Sequence, residues 1–215
     1  MLRYVDLNEI SDGKLYTAND MVKAGCGDCE GCSACCENMA DTIVLDPLDV
    51  FRLVSHLGCN FQELLISHVE LGVVDGIILP HMKKGGKPAR CSFLNAKGRC
   101  EIHDFRPGFC RLFPLGRYYS DGGFQYFLQT KECPKPNRTK VKVRKWIDTP
   151  DFERYERFVC DWHYYLKDFQ DKIAGGNQPP DFAKNVSLLI LKNFYQQPFN
   201  ENEDFYGQFY NRMKR

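Results

Sequence analysis

Eleven cysteines stand in a chain of 215 residues, and most of them fall in two groups. The first group is Cys26-x2-Cys29-x2-Cys32-x2-Cys35-Cys36. Thiolates separated by two residues can turn their sulfurs towards one ion, because a tight turn brings both side chains to the same side. Gly25, Gly27, Gly31, Ser33 and Ala34 are small enough to permit such turns. The second group is Cys91-x8-Cys100-x2-His103-x6-Cys110. Cys100 and His103 have the short spacing of paired ligands, and Arg106-Pro107-Gly108 turns the chain so that Cys110 comes back towards Cys100. Cys133, in KECPKP, is an additional candidate ligand.

This chemistry points to metal. Four soft or borderline donors such as Cys91, Cys100, His103 and Cys110 suit tetrahedral zinc or iron. Read as Cys26, Cys29, Cys32 and Cys36, the first group has the C-x2-C-x2-C-x3-C spacing of an iron–sulfur run, with Glu37 where such runs carry proline and with no second run. A disulfide or thiol-redox role is the competing reading, against which the odd cysteine count argues. Arg106 and Arg111 sit where guanidinium groups would offset the negative charge of several thiolates, with anchoring of the turn as the alternative for Arg106. Cys59 and Cys160 stand apart among apolar residues and read as inert core cysteines. His56, His68, His81 and His163 have no ligand context.

The elements that must position these donors are legible in part. Residues 1–25 look irregular. Thr42–Asp46 reads as a short strand, and Pro47 opens a helix, PLDVFRLVSHL, that stops at Gly58. Asn60 caps a second helix, expected over Phe61–Leu71. Ile77–Met82 reads as a strand, Lys83–Lys87 as a basic loop, and Arg117–Gln129 as a hairpin. Lys140, Lys142 and Arg144 alternate with Val141 and Val143 and would share one face of a lysine-protected edge strand. Beyond Pro150, Phe152, Tyr155, Val159, Trp162, Leu166 and Phe169 recur at helical spacing. After the break AGGNQPP, helices are expected over Asp181–Tyr195 and Glu201–Arg215, their aromatic residues packed on the preceding domain.

The fold class expected is α+β: a cysteine-rich metal-binding domain over residues 1–140 and a helical C-terminal extension over 141–215 packed on it. A net charge of +1 gives no general attraction to nucleic acid or membrane. No apolar run approaches the roughly 18–20 residues that span a bilayer, and residues 1–14 lack the apolar stretch of a secretory signal. A cytoplasmic chain meeting a protein substrate or a redox partner is the expectation. No Gly-rich nucleotide loop, P-loop or Ser/His/Asp arrangement marks a catalytic site.

CEGCSACC (Cys29–Cys36) is the C-x2-C-x2-C-C signature of the YkgJ-type cysteine-cluster family, and CSFLNAKGRCEIHDFRPGFCRLFPL (Cys91–Leu115) resembles its second block. The segment TIVLDPLDVFRLVSHLG between them also fits, so the resemblance covers about residues 26–135. It implies chelation of zinc or iron, with Cys26 extending the signature upstream. Flagellin lysine N-methylases are similar across this domain, which implies methyl transfer only loosely. Three functions follow: an iron–sulfur or zinc protein of redox or metal handling, a protein lysine N-methyltransferase-like enzyme, and an interaction module stabilised by zinc. The two cysteine groups are expected to build one joint metal region. Each is short of apolar residues, and the roughly 55 residues between Cys36 and Cys91 can fold the second back beside the first.

Overall fold

The structure is a computed structural model that describes residues 6–27, 32–38, 42–85 and 90–214. Cys29 and the Lys87 end of the expected basic loop lie outside the described residues. In chain order the elements are α1 (Leu7–Ile10), β1 (Met21–Gly25), α2 (Ala34–Asn38), α3 (Pro47–Leu57), α4 (Phe61–Ser67), β2 (Val69–Val74) and β3 (Ile77–Met82). Then come β4 (Lys84–Gly85), β5 (Arg90–Cys91), α5 (Gly108–Leu112), β6 (Leu115–Ser120), β7 (Gly123–Leu128), β8 (Thr139–Lys142) and α6 (Val143–Ile147). The chain closes with α7 (Phe152–Ala174), α8 (Phe182–Leu191) and α9 (Phe205–Met213). The architecture is α+β: two-stranded antiparallel ladders β1–β8, β2–β3, β4–β5 and β6–β7, with helices packed around them.

Local chemistry accounts for the helix starts. Asp46 Oδ1 accepts the Asp49 N–H at 2.8 Å and Asp49 Oδ2 accepts the Asp46 N–H at 3.2 Å, a reciprocal cap on α3. Asn60 and Glu63 repeat the device on α4, at 3.0 and 2.9 Å. The second helix is shorter than its sequence suggests. It ends at Ser67, and Val69–Val74 turns back as a strand onto β3, because Asp75-Gly76 makes the tight reversal of a hairpin. Thr42–Asp46 is not a full strand either. It lies along β3 through Leu45 N–H to Pro80 O (2.9 Å) and Met82 N–H to Ile43 O (3.0 Å), with a single bridge at Val44. The α3 cap begins at Asp46 before a ladder can extend. Arg144 does not share a strand face with Lys140 and Lys142: Val143 is fully buried and starts α6, so the alternation ends at Lys142.

The helices beyond residue 150 carry the aromatic half of one continuous core. Phe158 meets Phe209 edge-on with centroids 4.7 Å apart, and Trp162 packs on Phe194 at 4.9 Å. Tyr195 donates its hydroxyl proton to Leu45 O at 2.9 Å, which pins α8's continuation against the strand-like segment before α3. Burial of Phe194, Tyr195, Phe205, Tyr206 and Phe209 makes these aromatics packing residues. Among the described residues no helix is long and apolar enough to cross a membrane.

Candidate metal centre

Cys91 ends the short ladder β4–β5, paired with Lys84. From there the chain runs through a turn held by Asn95, whose side-chain oxygen accepts the N–H groups of Lys97 and Arg99, each at 3.0 Å. Leu94 then bridges Cys100, and Glu101 N–H reaches Phe93 O at 2.9 Å. The turn therefore folds the Cys100 strand back beside Cys91. A 3₁₀ turn, His103–Phe105, leads to α5 and Cys110.

Two buried side chains fix that last step. Arg111 donates from its guanidinium to three backbone carbonyls: Asp148 (2.8 Å), Arg106 (3.2 Å) and Asp104. Asp49 Oδ1 accepts the Gly108 N–H at 2.7 Å. Anchoring of the turn thus falls to Arg111, while Arg106 faces the cysteines. Sequence reasoning missed Asp49, which reads there only as a residue near a helix start.

Cys35 and Cys36 of the first group arrive on α2, which packs against β5. Glu37, in place of the proline of ferredoxin-like runs, accepts the Ser33 hydroxyl proton at 2.8 Å and donates its N–H to Ser33 O at 3.0 Å. Those bonds close the turn that presents Cys35 and Cys36.

Six cysteines from both groups, Cys32, Cys35, Cys36, Cys91, Cys100 and Cys110, line one cavity of about 110 Å³. His103 and Arg106 complete its polar rim, and Ile43, Met82, Leu94, Ile102 and Phe113 form apolar wall. A nitrogen of Arg106 is hydrogen-bonded to His103 Nε2. Cys26 and Cys133 do not line this cavity. They line an adjoining hollow of about 20 Å³, together with Cys32 and Cys35. Cys59 and Cys160 lie in neither: Cys59 packs against the core, and Cys160 donates to Gly122 O at 3.4 Å. His56 stacks on Phe105, His68 on Phe93 and His163 on Tyr119, with centroids 3.7, 3.9 and 3.5 Å apart.

The cavity opposes bare thiolates. Burial pushes the thiols of Cys91, Cys100 and Cys110 up, Cys110 most strongly, and neighbouring sulfurs add to the effect on each. Cys36 is raised because its thiol donates to the Cys35 sulfur. By the same bond Cys35 is lowered to about 7, with help from the Arg106 charge. Several sulfurs within electrostatic reach of each other, in an apolar wall, can all ionise only around a cation. Among the described residues no three His, Cys, Asp or Glu side chains already close on one point as an ion site. The donors line a cavity, and their chemistry fits a soft metal: thiolate sulfur with one imidazole at the edge.

Comparison with known proteins agrees with metal chelation. No curated protein and no solved structure matches the chain. The family model CxxCxxCC, described as a "putative zinc- or iron-chelating domain", matches residues 28–142, which is more than half of the chain and takes in every cysteine of the larger cavity. The chain therefore belongs to the CxxCxxCC family of zinc- or iron-chelating domains.

Proposed function

We propose that the chain holds an iron–sulfur centre in the larger cavity and works in redox or metal handling, with Cys35, Cys36, Cys91, Cys100 and Cys110 as the sulfur donors. The observation that carries this reading is the cavity's size beside its lining. One water-sized occupant needs about 10–15 Å³, and the cysteine-lined cavity offers about 110 Å³. That is room for a polynuclear centre, or for an ion with a small molecule beside it.

When bound, such a centre supplies one-electron transfer or a Lewis-acidic position. The protein's own contribution is separate. The five thiols give up their protons and offer thiolate sulfur. Arg106 offsets the accumulated negative charge, and its bond to His103 holds the guanidinium at the rim. Leu94, Ile102 and Phe113 keep bulk water from the sulfurs on their side.

Purification without oxygen, followed by iron, zinc and acid-labile sulfide analysis and visible spectroscopy, tests the reading. A brown chain with iron and sulfide in comparable amounts is expected. Stoichiometric zinc with neither iron nor sulfide overturns the iron–sulfur assignment, and a chain without bound metal overturns metal handling as well.

A further inference from the structure

The smaller hollow has its own cysteines and its own reason to exist. Cys26 follows directly on β1, whose last residue, Gly25, pairs with Thr139 at the start of β8. Cys133 lies on the segment that enters β8. The β1–β8 ladder therefore draws together two segments more than a hundred residues apart in sequence. Gly25 makes the approach possible, since a β-carbon there would stand 2.4 Å from Thr139 Oγ1. Cys32, on the turn leading into α2, supplies a third sulfur. Phe113 and Trp146 form part of the wall, and Trp146 Nε1 donates to Phe113 O at 3.1 Å, which fixes its ring.

We infer that Cys26, Cys32 and Cys133, which line one hollow without yet converging on one point, close on a single thiophilic divalent ion such as zinc to make a second metal site, distinct from the larger cavity. Its space of about 20 Å³ is that of one small occupant and not of a cluster. Cys26 lies outside the stretch that the family model matches, whereas Cys32 and Cys133 lie within it. As each sulfur–metal bond forms, its thiol proton passes to solvent and no electron moves. Three thiolates on a divalent ion leave one negative charge, and Lys135 lines the same hollow to offset it. The fourth position is open to solvent, since Cys35, on the wall common to both sites, serves the neighbouring centre. The site fastens β1 to the β8 entry and so braces the first cysteine group from outside. It rests on the cavity reading only in that Cys35 and Cys36 belong to the neighbouring centre.

Trp146 makes the site directly observable, because the only other tryptophan, Trp162, is buried in the aromatic core. The full chain, kept anaerobic and freed of metal, is titrated with Co²⁺. Tryptophan fluorescence and the thiolate-to-cobalt charge-transfer band are followed together. Two classes of bound cobalt are expected, one of which quenches Trp146. Cys26→Ser and Cys133→Ser should each weaken the quenching class at least about tenfold and leave the rest of the band, while Cys110→Ser should do the reverse. Cys26 lies at a half-buried strand end, so its variant tests the site even where Cys133→Ser folds poorly. Quenching unchanged in both variants overturns the second site, as does a single class of cobalt lost alike in all three. Loss of the quenching class in the first two variants, with Cys110→Ser binding as before, upholds the second site and defeats the cavity reading instead.

Discussion

Asp49 Oδ1 accepts the Gly108 N–H at 2.7 Å across 59 residues of chain, so the first turn of α3 holds the first residue of α5, two positions before Cys110. The same carboxylate caps α3 through the Asp46 N–H. One buried side chain thus sets both a helix start and the approach of a cavity cysteine. Asp49→Ala leaves the Gly108 N–H without its buried acceptor and should cost about 1–3 kcal/mol. Asp49→Asn keeps an acceptor and should cost less than half of that. Urea unfolding with metal analysis checks both, and metal content should fall in the alanine variant before it falls in the asparagine one.

Gly108 itself tolerates no side chain. A β-carbon would lie 2.6 Å from Tyr155 Oη, which accepts from Arg117 at 2.9 Å, and 3.6 Å from Asp49 Oδ1. Gly108→Ala must push α5 away from α7 and should lose about 1–3 kcal/mol together with metal affinity. Tyr155→Phe removes the obstructing hydroxyl. In a double-mutant cycle the pair should therefore cost less than the sum of the two single changes. Strict additivity in thermal or urea unfolding would show that the contact is not the cause.

Both cysteine groups line one cavity, so damage to one should be felt by the other. Cys36→Ser should increase hydrogen exchange around Cys100 and Cys110 in the metal-loaded protein, and Cys110→Ser should do so around residues 32–38. Metal binding that joins distant segments is worth on the order of 10 kcal/mol of folding free energy for structural zinc. Cys59→Ala and Cys160→Ala, which touch neither hollow, should leave metal content unchanged and cost only about 1–2 kcal/mol of packing. Exchange confined to the mutated segment would mean that the two groups are separate binding units.

His163 supplies a pH dependence away from the thiols. Burial, with the ring stacked on Tyr119, and then the nearby positive charges of the chain's amino terminus, Lys167 and Arg117 lower its pKa from 6.5 to about 4. The folded chain keeps this imidazole neutral, so its contribution is complete above pH 6.5. As pH falls from 6.5 towards 4, the unfolded chain takes up a proton that the folded chain refuses, and stability drops. The site is partly accessible, so the loss over that window should be about 1–2 kcal/mol. His163→Phe keeps the stacked ring and should flatten the pH dependence of urea unfolding relative to the parent chain. An unchanged slope would place the titration elsewhere.

The sequence by itself determined the local features. Asp46-Pro47 and Gly58 bound α3, Asn60 caps α4, and the aromatic spacing from Phe152 to Leu166 lays one face of α7 into the core. Cysteine spacing and the residues around it determined the family and its zinc- or iron-chelating chemistry, because turns of two and three residues and ligand softness are local properties. What tertiary structure decided is the sorting of those cysteines. Spacing groups Cys26 with Cys36, yet the β1–β8 ladder places Cys26 beside Cys133, while α2 packing on β5 places Cys36 beside Cys91 and Cys100. Likewise Val69–Leu71 continues a helix in sequence and becomes part of the strand Val69–Val74 in space, because Asp75-Gly76 offers it β3 as a partner. Hydrophobic period and ligand spacing report only on near neighbours along the chain. Which segments meet is decided by long-range pairing and buried acceptors such as Asp49, whose significance depends on a partner 59 residues away.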